Sequence, residues 1–218
     1  MSADRPPSGG GTEGAAYADR FALETTEMTA ARNRAFHLPG SPPVEPAVGA
    51  TLAVLAAGVE ARSVVSIGSG GGLAGLWLLR GMRSDGVLTA LDGDPEQLRA
   101  ARKAFADAGV APSRARLIFG TPGEVLPRLS SGAYDMVVCA GPPQEYSKHL
   151  AQLLGLVRVG GTLVMHGLLE GDRVADRTAR DPQTVAWREI ARTVREEETL
   201  LAAVLPIGVG LLVASKRA

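Results

Sequence analysis

From Ser63 onward the chain alternates short, wholly apolar runs with longer amphipathic ones, and few folds accept that pattern. SVVSIG (63–68), VLTALD (87–92), RARLIF (114–119), DMVVCA (135–140) and GTLVMHG (161–167) read as strands. Between them GGLAGLWLLRGMR, DPEQLRAARKAFADAG, TPGEVLPRLS and EYSKHLAQLLGLVR read as helices. Asp94 is a natural cap for the second of these, Pro95 suits its first position and Gly109 its end. Strands this apolar are covered on both faces, so the alternation predicts a parallel sheet between two helical layers, with right-handed crossovers. After a further helix, TVAWREIARTVREE, the pattern breaks. TLLAAVLP and GVGLLVASK are two strand-like runs joined by a short link around Ile207 and Gly208. A parallel crossover needs a dozen residues or more, so this pair is a hairpin and one of its strands runs antiparallel to the rest. The expectation is an α/β fold with a seven-stranded, mostly parallel sheet.

Two helices precede the alternation, Tyr17 to about His37 and Pro46 to Val59, the second with its proline in the first turn. Residues 1–16 are rich in Gly, Pro and Ser and poor in large apolar groups. They read as a disordered tail, leaving 17–218 as a single domain. The 23 basic and 23 acidic residues cancel, which gives no electrostatic reason to expect nucleic acid or an anionic membrane. No apolar run approaches the roughly 20 residues that span a bilayer. The N-terminus lacks a signal pattern, and Cys139 is the single cysteine. A cytoplasmic protein is expected.

The segment VVSIGSGGGLAG puts Gly68, Gly70 and Gly72 between the first strand and its helix. Glycine lets backbone approach a ligand closely, and the helix N-terminus beyond offers free N–H groups. Asp92 ends the next strand about 20 residues on, where a carboxylate can accept hydrogen bonds from a ribose. Counted from Gly70, the loop fits the dinucleotide pattern G-x-G-x-x-G. Counted from Gly68, where the strand ends, it reads G-x-G-x-G, a nucleoside loop. A nicotinamide enzyme and an S-adenosylmethionine (SAM) enzyme both fit the loop, and the terminal hairpin favours the second.

With these residues in hand, the chain resembles the small SAM-dependent O-methyltransferases of the catechol and caffeoyl-CoA type, in their bacterial branch. The resemblance covers about Tyr17 to the C-terminus. It is carried by VVSIGSGGGLAGLWLLRGM, GVLTALDGDPEQLRAARKAF, YDMVVC, LLGLVRVGGTLVMHG, DRVADRTARDPQTVAWREI and LPIGVGLLVASKR. It implies a Rossmann-like class I methyltransferase fold with SAM as cofactor, a small-molecule methyl acceptor and a homodimer. Gly68, Ser69, Gly70 and Gly72 would line the methionine and ribose, and Asp92, with Gly93 beside it, would take the ribose hydroxyls. Gly120, Thr121 and Pro122 would border the adenine, Val44 would help roof the site, and Ala140 would edge it.

The departures from the family pattern matter as much. Ser66 stands where the family has an acid before the loop, and Ala74 where it has a serine in the loop helix. The family's divalent cation is held by an Asp after the fourth strand and an Asp-Asn pair after the fifth; here those positions are Ala140, His166 and Gly167. The family's lysine falls at Pro143. Alanine and glycine supply no oxygen ligands, and a lone histidine is a poor magnesium ligand, so no family-type metal site is expected. Glu145, Glu170 and Asp172 are the acids near enough in sequence to build a displaced one. Methyl transfer does not itself require a metal. His166 is the candidate general base for a small, phenol-type acceptor, with an inert hydrogen-bonded histidine as the competing reading. Two functions stay open: a metal-independent SAM-dependent O-methyltransferase, and a non-catalytic SAM-binding homologue with a regulatory or binding role.

Overall fold

Each apolar run of the alternating segment is a strand: β1 Ser63–Ile67, β2 Val87–Asp92, β3 Ala115–Phe119, β4 Tyr134–Ala140 and β5 Val157–His166. The computed structural model describes residues 11–40 and 42–218. The terminal hairpin supplies β6 Leu200–Leu205 and β7 Leu211–Lys216, linked by residues 206–210. All seven strands form one sheet in the order β3-β2-β1-β4-β5-β7-β6. β1 to β5 pair in parallel, and β7 pairs antiparallel with both β5 and β6. The edge strand β6 is exposed along most of its length, with Leu201 and Val204 facing solvent.

Among the described residues eight helices surround the sheet: α1 Gly11–Phe21, α2 Thr26–Ala35, α3 Pro46–Gly58, α4 Leu73–Gly81, α5 Pro95–Asp107, α6 Pro122–Val125, α7 Pro143–Leu156 and α8 Pro182–Glu196. Strand alternation divides the core. Val64, Met136, Val138 and Val164 point to one face and pack with Met28, Leu52 and Trp77 from the leading helices and α4. Val65, Val137, Leu163 and Met165 point to the other and pack with Leu150, Leu153 and Ile190 of α7 and α8. Cys139 lies in this second layer, and burial pushes its thiol pKa far up, which leaves it an inert core residue.

The N-terminal region differs from the sequence expectation in two respects. Residues 1–10 of the expected tail lie outside the described residues, and 11–16 belong to α1. Ala15 and Ala16 are good helix formers, and Glu13 sits in the first turn, where a helix favours an acid. The single helix expected over 17–37 is two, so three helices precede β1. Thr25 is the reason: its backbone is extended and its hydroxyl accepts the Met28 N–H at 3.3 Å, which caps α2 and separates it from α1. Asp19 of α1 accepts the Ala47 N–H at the start of α3 at 3.0 Å, and this bond fixes how the leading helices meet.

β5 begins directly after α7, earlier than its apolar run suggests. Val157 pairs with Tyr134, and regular pairing resumes only at Met136 with Thr162. Asp135 holds this irregular corner. One carboxylate oxygen accepts the N–H groups of Arg62 and Ser63 at 2.7 and 2.8 Å, and the other accepts Arg158 Nε at 2.7 Å. Partial burial raises the carboxyl's pKa, but the bonds from Arg158, Arg62 and Ser63 more than offset it, so the group sits below its ordinary range. A depressed pKa contributes stability above the unfolded value near 3.9, lost as pH falls through the folded value. Asp135→Asn is therefore expected to cost about 1–2 kcal/mol at neutral pH, with a deficit that narrows below about pH 4. Urea midpoints across that range check it; a deficit that does not change with pH would contradict this role.

Candidate functional site

The carboxyl ends of β1 and β4 are neighbours, and the helices that follow them leave to opposite faces of the sheet. A crevice forms at such a point in open α/β sheets. Here it is a cavity of about 500 Å³, within the range of small-molecule sites. Ile67, Gly68 and Gly70 form one wall, and Leu91, Asp92, Gly93 and Asp94 a second. Thr121 and Pro122 close the β3 side, and Ala140, Gly141 and Pro142 the β4 side. A second cavity of about 340 Å³ lies on the far side of Gly141 and Pro142. The two share Gly40, Gly141 and Pro142, and His166, Gly167, Glu45 and Trp187 wall the second.

Two glycines of the loop do different work. Gly68 has φ +82°, and a Cβ there would stand 2.0 Å from the Ala140 carbonyl oxygen. Gly70 has φ +50° and open space where its Cβ would be, so it leaves the cavity wall bare. Gly72 packs on the neighbouring helix. A Cβ there would lie 2.7 Å from Ala101 Cα, so this glycine lets the loop seat on α5.

Asp92 is held as a rigid acceptor. Its Oδ2 accepts Ser69 N–H and Ser69 Oγ–H at 2.7 and 2.9 Å, and its Oδ1 accepts the Asp94 N–H at 2.9 Å. Ser69 itself is buried, and it orients Asp92. Val44 is buried in the core under the leading helices, and Pro39 and Gly40 form the roof in its place. Ser66 and Ala74 are buried behind the loop. Gly120 is buried at the turn after β3, where a Cβ would meet Val125, while Thr121 and Pro122 line the cavity.

Three residues that the sequence did not single out complete the first cavity and its neighbour. Gln97, on α5, accepts the Gly71 N–H at 2.8 Å and donates to the Pro39 carbonyl at 2.7 Å, tying the glycine loop to the roof. Tyr146, on α7, is buried and donates to the Ile67 carbonyl at 3.2 Å, joining the ends of β1 and β4 from below. Burial, above all, pushes its phenol pKa well up, so it stays a donor. The third is Glu45. Its Oε2 lies 3.1 Å from His166 Nε2, and its Oε1 accepts the Val209 N–H at 3.1 Å. Burial raises the Glu45 pKa, but the bonds from His166 and the backbone outweigh it, and the carboxyl sits below its ordinary range. A polar residue followed by Pro46 marks a helix start; nothing in it marks a partner for His166.

The positions of a family-type metal site do not fit a cation. Ala140 and Gly167 offer no side-chain donor, and His166 is engaged by Glu45. Among the described residues no cluster of three or more His, Cys, Asp or Glu side chains is arranged to hold a metal. Glu170 lines the second cavity and bonds Gln183, whereas Glu145 lines the first.

Known proteins place this architecture. The O-methyltransferase family model matches residues 15–217. A relative from Mycobacteroides abscessus named as an O-methyltransferase is 44% identical over 215 residues, covering 99% of this chain and 98% of its own. One from Mycobacterium sp. (strain JLS) is 45% identical over 201 residues, covering 92% of this chain and 91% of the relative. A Corynebacterium glutamicum crystal structure superposes with a TM-score of 0.87 at 30% identity, covering 95% of this chain and 97% of that one. The O-methyltransferase TomG from Streptomyces achromogenes, solved in complex with SAM, superposes with a TM-score of 0.84 at 22% identity over 95% of this chain and 96% of its own. The sheet is thus a Rossmann-like methyltransferase sheet, and the chain belongs to the O-methyltransferase family.

The two loop glycines give a direct test. Gly70→Ala is expected to cost about 1 kcal/mol, the left-handed penalty alone. Gly68→Ala is expected to cost about 3 kcal/mol or more, because the clash is with backbone that cannot move aside. Thermal melting of the two variants checks the order, and equal losses would remove Gly68 from its place as the close contact.

Proposed function

We propose that the protein is a SAM-dependent O-methyltransferase in which the first cavity binds the cofactor and the second the methyl acceptor, without a divalent metal. One observation carries this reading: the two cavities meet at Gly141 and Pro142, with the glycine loop and Asp92 on one side and His166 on the other. The cofactor fits the residues present. Asp92, held rigid by Ser69, is an acceptor suited to ribose hydroxyls. Gly68 and Gly70 leave room for the methionine moiety, and Thr121 and Pro122 for the adenine. When bound, SAM supplies a methyl group on a positively charged sulfur, already activated for displacement.

What this chain must add is alignment, exclusion of water and removal of one proton. Ala140, Gly141 and Pro142 carry no ionisable side chain, and Gly141 and Pro142 line both cavities where they meet. A phenol-type hydroxyl has a pKa near 10, so a base at the acceptor oxygen helps. His166 ends β5 beside Ala140 of β4, its register partner, and it faces the second cavity. It takes the acceptor proton. Among the described residues the second cavity's wall carries Glu45 and Glu170 but neither lysine nor arginine. That supports an uncharged acceptor over a carboxylate or phosphate. The exposed Leu201 and Val204 of edge strand β6 support a homodimer. Among the described residues no helix is long and apolar enough to cross a membrane, which accords with the cytoplasmic location proposed for it.

Calorimetric titration with SAM is expected to show one site per chain, and radiolabel transfer to a phenol panel to proceed equally with and without chelator. His166→Ala is expected to lower kcat by about 100-fold or more while leaving SAM affinity in place. Loss of turnover on chelation would refute the metal-free reading. SAM binding without transfer to any acceptor would favour the non-catalytic homologue.

A further inference from the structure

We propose that Glu45 is a positioning residue that fixes the imidazole tautomer of His166 and, with it, fills the role a cation would take at this end of the sheet. The inference rests on the reading of His166 as the base and deepens it. Glu45 comes from the N-cap of α3, 121 positions away along the chain, and reaches His166 across the mouth of the sheet. Its carboxylate is anchored at both ends. Val209, in the link between β6 and β7, donates to Oε1 at 3.1 Å, and Oε2 lies 3.1 Å from His166 Nε2.

The chemistry of the pair admits one arrangement. An ionised carboxylate only accepts hydrogen bonds, so Nε2 must carry the proton. A neutral imidazole then has its lone pair on Nδ1, and Nδ1 is the nitrogen that can receive a proton. The acceptor hydroxyl gives its proton to Nδ1, and the imidazolium that forms lies against the Glu45 carboxylate. Glu45 therefore stabilises the protonated base through charge as well as orienting the ring. Two partners face the same wall. Glu170 is held by Gln183 through a 3.0 Å bond, and Trp187 packs beside Gly167 with its indole nitrogen unpaired among the described residues. Neither offers His166 a bond that competes with Glu45.

This arrangement accounts for the substitutions at the former ligand positions. Where Ala140 and Gly167 remove oxygen donors, a histidine replaces a carboxylate and gains a carboxylate partner from another element. A cation promotes reaction by lowering the acceptor's pKa; the pair promotes it by accepting the proton.

The test uses the full chain and has two independent readouts. Nitrogen-15 NMR of the wild-type protein is expected to show neutral His166 protonated at Nε2, with Nδ1 bare. In Glu45→Gln that preference is expected to weaken, and kcat to fall about tenfold to a hundredfold, no more than the roughly 10²–10⁴ that the general base itself supplies. SAM affinity and the KM for SAM are expected not to move, and Glu45→Asp to recover part of the lost kcat. A wild-type tautomer with the proton on Nδ1 would overturn the proposal, as would an unchanged kcat in Glu45→Gln or a parallel loss of SAM affinity. The tautomer is read without turnover and without a folded variant. Absence of methyl transfer would thus count against the proposed function and leave the pairing of Glu45 with His166 to be judged by the spectrum.

Discussion

The backbone of Gly68 passes against the carbonyl of Ala140, and the rest of the site follows from that contact. Strands β1 and β4 lie side by side in the sheet, and their following helices turn to opposite faces. Between them the chain must leave β1 at once and curl over the end of β4. A side chain at position 68 would collide with that carbonyl at 2.0 Å. Glycine removes the collision and accepts the left-handed backbone. The crevice at the switch point then stays open as a cavity instead of filling with side chains.

Around this bend the structure builds a frame of hydrogen bonds between segments that are distant in sequence. Gln97 joins the glycine loop to the roof at Pro39, Tyr146 ties α7 to the end of β1, and Ser69 holds Asp92. Each of these side chains is buried, so each bond is protected from water and its loss would strand a polar group. A binding site made of glycines has little stiffness of its own. Here the stiffness comes from the three side chains beneath and above it.

At the second cavity the end of the sheet carries a histidine and a glutamate within hydrogen-bond reach of each other. Ala140 and Gly167 withdraw the oxygen donors that a hard cation needs. His166 Nε2 lies there 3.1 Å from Glu45 Oε2, the contact on which the proposed base rests. Gly141 and Pro142 line both cavities and add no charge of their own.

The amino-acid sequence by itself determined the layers of the fold, the seven strands, the antiparallel hairpin, the glycine loop, Asp92 and the lack of side-chain oxygens at Ala140 and Gly167. All of these are written locally, in the period of apolar residues, in turn chemistry, or in the identity of a side chain at a strand end. Only the tertiary structure decided that Thr25 splits the first helix, that Val44 packs in the core while Pro39 and Gly40 make the roof, and that Gly72 seats the loop on α5. Nor did any local signal mark Gln97 or Glu45. An isolated glutamine on a helix and a glutamate before a proline look like solvated surface until the chain brings Gly71, Pro39 and His166 to them. Such contacts depend on how helices settle across the sheet, and side-chain periodicity, which reports only the face a residue points to, does not encode what it will meet there.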